Sequence, residues 1–549
     1  MKKNFFYKII YISLFSLLLI PAKGQNDFEI AKNVDIFVSI LKELNSKYAD
    51  EISPVDLTKT AVDAMLASLD PYTQYYPESQ IEDFRLLTTG QYGGIGAIIQ
   101  QRGNSVVIAE PYEGSPAATA GLQPGDKILK INNQSTAGKN SNDISTILKG
   151  EPGTNLAIEV ERPGEVKPLN FTITRKEIKL PNIPYYGMLD HNVGYIKLDQ
   201  FTENSGNEVK NAFQELKGKG MHYLILDLRN NGGGLLHEAV NIMNIFVDQN
   251  TLIASTKGKI KEQTNTYRTR FPVVDKNIPV VVLVNEFSAS ASEIVSGAFQ
   301  DLDRGIVIGK KTFGKGLVQN IVPLSYNTSL KITVAKYYIP SGRCVQNIDY
   351  FAKDSLTPSP DIPDSLATPY KTKNGRTVYD KGGIVPDIIT PDTMASNLLV
   401  SLILNHHLFD FANQYRHTHP TIPPADQFAI TDAIYKEFMD FLKDKEYDYT
   451  TESEMVLEEL KKSAVSEKYF DAIEPLYTNI KHKIEEEKAN ELVKFKEEIS
   501  QYLASEIVMR YYYQKGRIMN SLSHDPDILQ AKKILRDSSR YKTILAAKK

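Results

Sequence analysis

The chain has 549 residues, more than one hydrophobic core usually organises, so several domains are expected, each large enough to bury a core of its own. Lys and Arg total 64 against 67 Asp and Glu, a formal charge of -3, and this balance removes any bulk electrostatic argument for nucleic acid or an acidic membrane as partner. A single cysteine, Cys344, excludes an intramolecular disulfide, and with no His or acidic pattern around it the residue reads as packing rather than as a nucleophile.

At the N-terminus Lys2, Lys3 and Lys8 flank an apolar run over residues 9–20, followed by Pro21-Ala22-Lys23-Gly24 before Gln25. This is the pattern of a secretory signal peptide over 1–24, and it implies a periplasmic or cell-envelope destination in a bacterium. The run is shorter than the about 20 residues of a spanning helix, and no cysteine follows it to carry a lipid anchor; retention of the segment as an anchor is the alternative to cleavage. No later stretch has spanning length.

Residues 25–90 read as a helical segment, with Ile30, Val34, Phe37, Ile40, Leu41 and Leu44, then Leu57, Ala61, Ala64 and Met65 at helical spacing, ending at Asp70-Pro71. Over 91–178 short β-rich runs alternate with Gly and Pro turns around one helix at 141–148. Strands and helices then alternate over 179–394, with strands at 195–198, 223–228, 280–284 and 306–308 and helices at 203–216, 235–246 and 291–299. Such alternation predicts an α/β layer whose sites gather where strands hand over to helices. Residues 346–382, rich in Pro, Ser, Asp and Lys, read as an exposed insertion, and 395–549 as a helical domain in which Leu492, Phe495, Ile499, Tyr502 and Leu503 form a core-facing stripe.

Three segments of the α/β layer carry groups able to do chemistry. In Phe287-Ser288-Ala289-Ser290-Ala291-Ser292-Glu293, Ser290 sits at a strand-to-helix junction, where unpaired N–H groups and the helix dipole can stabilise an oxyanion. The alternative is a capping box in which Ser290 and Glu293 only cap the helix. A serine nucleophile needs a base, and of the histidines in the layer, His191, His222 and His237, none is placed to serve.

Lys315, between Gly314 and Gly316, supplies another base. To act at neutral pH a lysine must lose about three units from about 10.4, which costs about 4 kcal/mol and which burial can provide. Phe313, Leu317 and Val318 are apolar neighbours for that purpose, and Gln319 offers an uncharged amide oxygen to orient the amine. The alternative is an exposed loop lysine. In Asp227-Leu228-Arg229-Asn230-Asn231-Gly232-Gly233-Gly234 the glycines leave N–H groups open to complete an oxyanion hole with Ala291, or serve only a tight turn, while Asp227 and Arg229 read as structural partners. Gly309 to Lys315 also fits a phosphate-binding G-x-x-x-x-G-K, but Gly316 stands where the magnesium-binding hydroxyl belongs.

Taken together, Ser-Ala-Ser290-Ala-Ser-Glu, Phe-Gly-Lys315-Gly-x-x-Gln319 and Asp-Leu-Arg-Asn-Asn-Gly-Gly-Gly resemble the C-terminal processing peptidases, or tail-specific proteases. Leu69-Asp70-Pro71-Tyr72 is similar to a signature of that family, with Tyr72 where His is often seen. Gly93-Gly94-Ile95-Gly96 and the run from Gly114 to Asp126 look like its inserted PDZ domain, and Tyr338 to Arg343 and Gly383 to Asp387 match downstream. The likeness covers about 30–387 and leaves the C-terminal helices outside.

The resemblance implies a multidomain α/β protein with a crotonase-like or ClpP-like peptidase core, an inserted β-rich PDZ domain and flanking helical segments. It makes Ser290 the nucleophile, Lys315 the base and then acid, Gln319 its orienter, and Ala291 with Gly232, Gly233 and Gly234 the oxyanion donors. No metal or organic cofactor is implied, since acyl transfer needs only a nucleophile, a proton shuttle and charge stabilisation. The PDZ loop Gly93, Gly94, Ile95 and Gly96 would bind a terminal carboxylate while the peptide adds to the sheet edge. Expected partners are protein tails with free C-termini, with an adaptor or a second copy on the C-terminal helices; a tail-binding scaffold without activity is the alternative function.

Overall fold

The computed structural model describes residues 23–190, 192–348, 350, 367–380, 382–391 and 395–547. Nearly all of the export segment expected over 1–24, much of the insertion expected over 346–382, and His191 lie outside the described residues. The described residues up to Tyr75 and those from Tyr76 onward form two compact units. In the first, the helical run divides into α1 (Lys23–Lys47) and α2 (Pro54–Ala67). Ser53 accepts the Asp56 N–H as N-cap and Pro54 fills the first helical position, where no N–H is needed, so α2 starts afresh.

The second unit opens with α3 (Ile81–Thr89) and then β1 (Gln91–Gly94), which pairs antiparallel with β7 (Lys176–Lys179) in the register Gln91↔Lys179. Between these strands lies the β-rich insert, a sheet in the order β2 (Ala97–Arg102), β3 (Ser105–Pro111), β4 (Lys127–Ile131), β5 (Asn155–Glu161), β6 (Leu169–Thr174), with helix α4 (Ser141–Leu148). Ile95, Ile108, Ile128, Ile144, Leu156 and Ile158 make its core. Strand β2 is the edge of this sheet.

The α/β layer is built on β8 (Tyr185–Met188), β9 (Val193–Lys197), β10 (Tyr223–Asp227), β12 (Val280–Val284), β13 (Ile306–Gly309) and β16 (Ile388–Ile389), in that spatial order. All neighbours run parallel except β8 with β9. Every residue of β12 is buried, as befits a parallel strand covered on both faces. Helices α5 (Ser205–Gly218), α6 (Leu236–Met243) and α7 (Ala291–Asp301) cover one face through Phe213, Met243, Val295 and Phe299. A smaller antiparallel arm joins β11 (Leu252–Gly258), β14 (Leu317–Pro323) and β15 (Ser329–Tyr338).

The helices expected as one domain over 395–549 contribute to two cores. Helices α8 (Asn397–Leu404), α9 (His407–Thr418) and α10 (Asp432–Leu442) and the first half of α13 (Lys496–Ser521) share Leu399, Phe411, Phe438, Ile499, Leu503 and Ile507. An outlying hairpin is formed by α11 (Glu452–Ser466) and α12 (Phe470–Ala489). Beyond a break in α13 at Tyr513, φ 53 and ψ -161, the chain turns to the α/β layer. There α14 (Pro526–Arg536) and α15 (Ser538–Leu545) cover the second face of the sheet, Ile528, Ala531, Ile534 and Tyr541 packing on Tyr195, Ile225, Val281 and Ile306.

Candidate active site

Strands β10, β12 and β13 deliver their loops to one edge of the parallel sheet. Ser290 precedes α7 at φ 55 and ψ -111, a backbone conformation that L-residues with a side chain seldom take. The capping box forms by half: Glu293 Oε2 accepts the Ser290 N–H at 2.9 Å, while the Ser290 side chain makes no cap bond and the Glu293 N–H donates to the Ser290 carbonyl. The hydroxyl is thus not used for capping.

Glu293 is wholly buried and accepts four hydrogen bonds. Oε1 takes the Thr312 hydroxyl and the Gly314 N–H, each at 2.7 Å, and Oε2 takes the N–H of Ser290 and of Lys315, each at 2.9 Å. One oxygen therefore fixes the backbones of Ser290 and Lys315 with their nitrogens no further apart than twice that distance. Burial pushes the Glu293 carboxyl above its ordinary value, against these donors, which favour the charged form.

The Lys315 loop is held from its other side as well. Gly316 N–H donates to Gln346 Oε1 at 2.7 Å, its carbonyl accepts the Tyr337 N–H, and a Cβ at Gly316 would meet the Gln346 nitrogen at 2.8 Å. Close backbone approach is the physical reason for a glycine beside the lysine. Leu317 is buried and Val318 half-buried, but Phe313 is 49% exposed, so the expected apolar surroundings come without Phe313, whose N–H turns to the Ser288 carbonyl. Tyr337, buried with its phenol pushed well up by burial, donates to the Ser290 carbonyl at 3.2 Å. Gln319 follows a bulge in the β14–β15 ladder and donates its amide to Thr333 Oγ1 at 3.2 Å.

In the glycine run Asn231 is the organiser. Its carbonyl accepts the Ala289 N–H and the Ser292 hydroxyl, its amide donates to the Leu198 carbonyl, and its Oδ1 accepts the Gly233 N–H at 2.9 Å. Gly233 has φ +99, and a Cβ there would lie 2.8 Å from the Ser290 Cβ and 2.9 Å from the Ala291 nitrogen. Only glycine lets this loop lie against the serine. The three glycines differ in place: Gly233 faces Ser290 and Ala291, Gly234 packs on the Phe201 carbonyl, and Gly232 is exposed.

One alternative raised by the sequence fails on geometry. After β13 the G-x-x-x-x-G-K segment runs into strand β14, so no helix N-terminus stands behind it to bind phosphate. His222 and His237 are exposed. In the insert, Gly93 N–H donates to Glu82 Oε2 at 2.6 Å and Gly94 belongs to β1, paired with Lys176. The N–H groups of Ile95 and Gly96 meet no acceptor among the described residues, while both carbonyls are taken, by Ala117 and Tyr112.

Sequence reasoning missed Asn231, Tyr337, Gln346 and Glu82, and saw Glu293 only as half of a cap. Ser-x-x-Glu was the visible signal for Glu293, but nothing local in a sequence reveals that the same carboxylate reaches a loop 19 to 22 residues on.

Residues 192–359 match peptidase family S41, residues 107–162 a PDZ domain, and residues 398–535 the C-terminal helical domain of probable PDZ-proteases. The carboxy-terminal-processing protease of Bartonella bacilliformis is 32% identical over 377 residues, 67% of this chain and 84% of that protein. A probable CtpA-like serine protease of Staphylococcus epidermidis is 35% identical over 332 residues, 60% of this chain and 67% of that one. Among solved structures, the photosystem II D1 C-terminal processing protease shares 27% identity at a TM-score of 0.36, over 64% of this chain and 92% of that one.

Proposed function

Because the chain belongs to the carboxy-terminal-processing proteases, serine-type peptidases of family S41, we propose that it captures protein substrates by their free C-termini and cuts them with Ser290 as nucleophile and Lys315 as base. The observation that carries this reading is the shared acceptor Glu293 Oε2, which ties the backbones of the two residues together.

In the proposed reaction the neutral Lys315 amine takes the Ser290 hydroxyl proton as Oγ bonds to the substrate carbonyl carbon. The oxyanion that forms draws on the Ala291 N–H at the start of α7, beside which the glycine loop lies with its Gly233 N–H held by Asn231 Oδ1. The Lys315 ammonium then gives its proton to the leaving amine as the peptide C–N bond breaks, leaving an ester on Ser290. Water, deprotonated by the same amine, releases the acid product and restores the hydroxyl. Gln319, with its amide nitrogen on Thr333, keeps its oxygen for the Lys315 amine.

The PDZ domain, assigned to 91–178, takes the tail. Ile95 and Gly96 N–H groups supply donors for a carboxylate, and the edge strand β2 lets an extended peptide add beside them. The remaining assignments are the peptidase core over 179–394 and the helical regions over 25–90 and 395–549; the basic and apolar leader over 1–24 supports action in the cell envelope. Apolar residues left exposed on α11 and α12, Met455, Val456, Leu476 and Ile480, support a partner or second copy at those helices.

An unstructured polypeptide with an apolar free C-terminus should be cleaved, and a fluorophosphonate should leave one adduct, on Ser290, found by mass spectrometry. Tail binding with neither cleavage nor adduct would leave an inert scaffold. Amidating the same C-terminus should raise KM about tenfold or more, since a charge-assisted pair of hydrogen bonds is lost.

Gly96 stands at φ +73, and a Cβ there would lie 2.5 Å from the Ser115 Cβ. Gly96→Ala should therefore distort the carboxylate loop and weaken binding of a fluorescent tail peptide about tenfold or more, measured by anisotropy. Unchanged affinity would move tail capture elsewhere.

A further inference from the structure

The reaction proposed above uses no residue of the C-terminal helices, yet those helices reach the loop beside Ser290. Arg229 lies three positions before Gly232. Its Nε and Nη2 bind the buried carboxylate of Asp227, with Nη2 at 2.7 Å from Oδ2. Its Nη1 binds outward to two carboxylates of the C-terminal region, Asp525 at 2.8 Å and Asp527 at 3.0 Å. The Lys197 ammonium donates to the Arg229 carbonyl, and the Tyr195 hydroxyl to Asp227. Every arm of the guanidinium fork is engaged, and its carboxylate partners are all largely buried, Asp525 at 17% and Asp527 at 15% exposed.

From Arg229 the contacts run directly to the serine. Asn230, at φ 61, exchanges hydrogen bonds with Asn285, the first residue of the loop leading to Ser290. The Leu228 carbonyl accepts the Ser288 hydroxyl at 2.8 Å, and Asn231 bonds to Ala289, Ser292 and Gly233 as described. Residues 228–233 are thus pinned on one side to the serine elbow and on the other, through Arg229, to the N-terminus of α14. A rigid three-way tie of this kind fixes where the loop N–H groups point, and oxyanion donors act only when preorganised.

We infer that Asp525 and Asp527 are positioning residues of the peptidase: the C-terminal helical region completes the site by holding Arg229, and through it the glycine loop, against Ser290. A plain docking contact would tether α14 to the sheet and affect stability alone. The two aspartates differ in a way that separates these roles. Asp525 is also the N-cap of α14, accepting the N–H groups of Asp527 and Ile528 at 2.9 and 3.1 Å. The Asp527 side chain makes no cap bond, so its loss tests the clasp without uncapping the helix.

This inference rests on the serine peptidase reading, and the experiment separates their failures. In the full-length protein, Asp527→Asn should lower kcat, and the rate of Ser290 labelling by fluorophosphonate, about tenfold, with KM and tail-peptide affinity unchanged. Asp527→Glu should recover much of that loss, and Asp525→Asn, which keeps a capping side chain, should show the same split as Asp527→Asn. Labelling and kcat within twofold of the parent protein, with only a lower melting temperature, would overturn the inference and leave the peptidase reading intact. No labelling of the parent protein would instead sink that reading. Should the asparagine variants fail to fold, Asp527→Ala, which leaves the Asp525 cap in place, decides: a kcat deficit at unchanged melting temperature supports positioning, and parental kcat overturns it.

Discussion

Lys315→Ala and Ser290→Ala should each remove peptide-bond cleavage by about 10⁴-fold or more, and the double variant should lose no more than either alone. The non-additivity follows from the proposed chemistry. Without the hydroxyl the amine has nothing to activate, and without the amine the hydroxyl is a poor nucleophile. Tail-peptide binding should survive in all three, because Ile95 and Gly96 belong to the insert, whereas Ser290 and Lys315 belong to the α/β layer and its arm. In the parent enzyme the rate should climb with pH as the lysine loses its proton, and the residual rate of Lys315→Ala should lack that limb. Comparable turnover by the parent protein and Lys315→Ala in a pH series would remove the dyad.

Glu293→Gln is expected to be nearly as damaging without touching a reacting atom. The parent carboxylate receives three N–H groups and the Thr312 hydroxyl, whose oxygen also accepts the Ile384 N–H at 2.6 Å. A glutamine amide must point its NH₂ at two of these donors. The clash should cost about 2–4 kcal/mol of stability and, by shifting Ser290 against Lys315, about a hundredfold in kcat. Denaturant unfolding and steady-state kinetics on one preparation measure both; a variant with parental kcat would mean that the elbow and the lysine loop are placed by other contacts.

The pH response at Glu293 has two signs. Its folded value is raised by burial, so folding takes up a proton between the unfolded and folded values. The stability it contributes is complete below the ordinary carboxylate range and is lost as pH rises through the folded value. Site geometry has the opposite demand, because four donors need a charged acceptor. Acidification into that window should therefore relieve the fold at this position while loosening the serine from the lysine, adding to the Lys315 limb a second acid loss of kcat that Glu293→Gln lacks.

Much of this could be read from residue order. The helix over 141–148 and the strand over 169–174 form as expected, because each is bounded by turn residues and patterned for one buried face. The strand-to-helix handovers at Ser290 and at Gly232 were legible from apolar runs meeting small residues. What stayed hidden is long-range. The pattern Ile528, Ala531, Ile534 and Leu535 announces a buried face but not that the face belongs to a parallel sheet far earlier in the chain, between Val193 and Ile308. Likewise Arg229 announces an Asp227 partner next door, while Asp525 and Asp527 come from a distance that no local spacing encodes. Within the helical segment read over 25–90, the structure sets a break before Ser53-Pro54, where a new helix starts.

The antiparallel pairing of Gln91 with Lys179 has an evolutionary reading. The tail reader leaves and rejoins the chain through two touching strands, so the flanking scaffold sees a hairpin stem whatever hangs beyond it. Selection can lengthen, exchange or retune the reader without redrawing the cutter, and a designer can graft a foreign recognition module onto the same stem to redirect which proteins are trimmed.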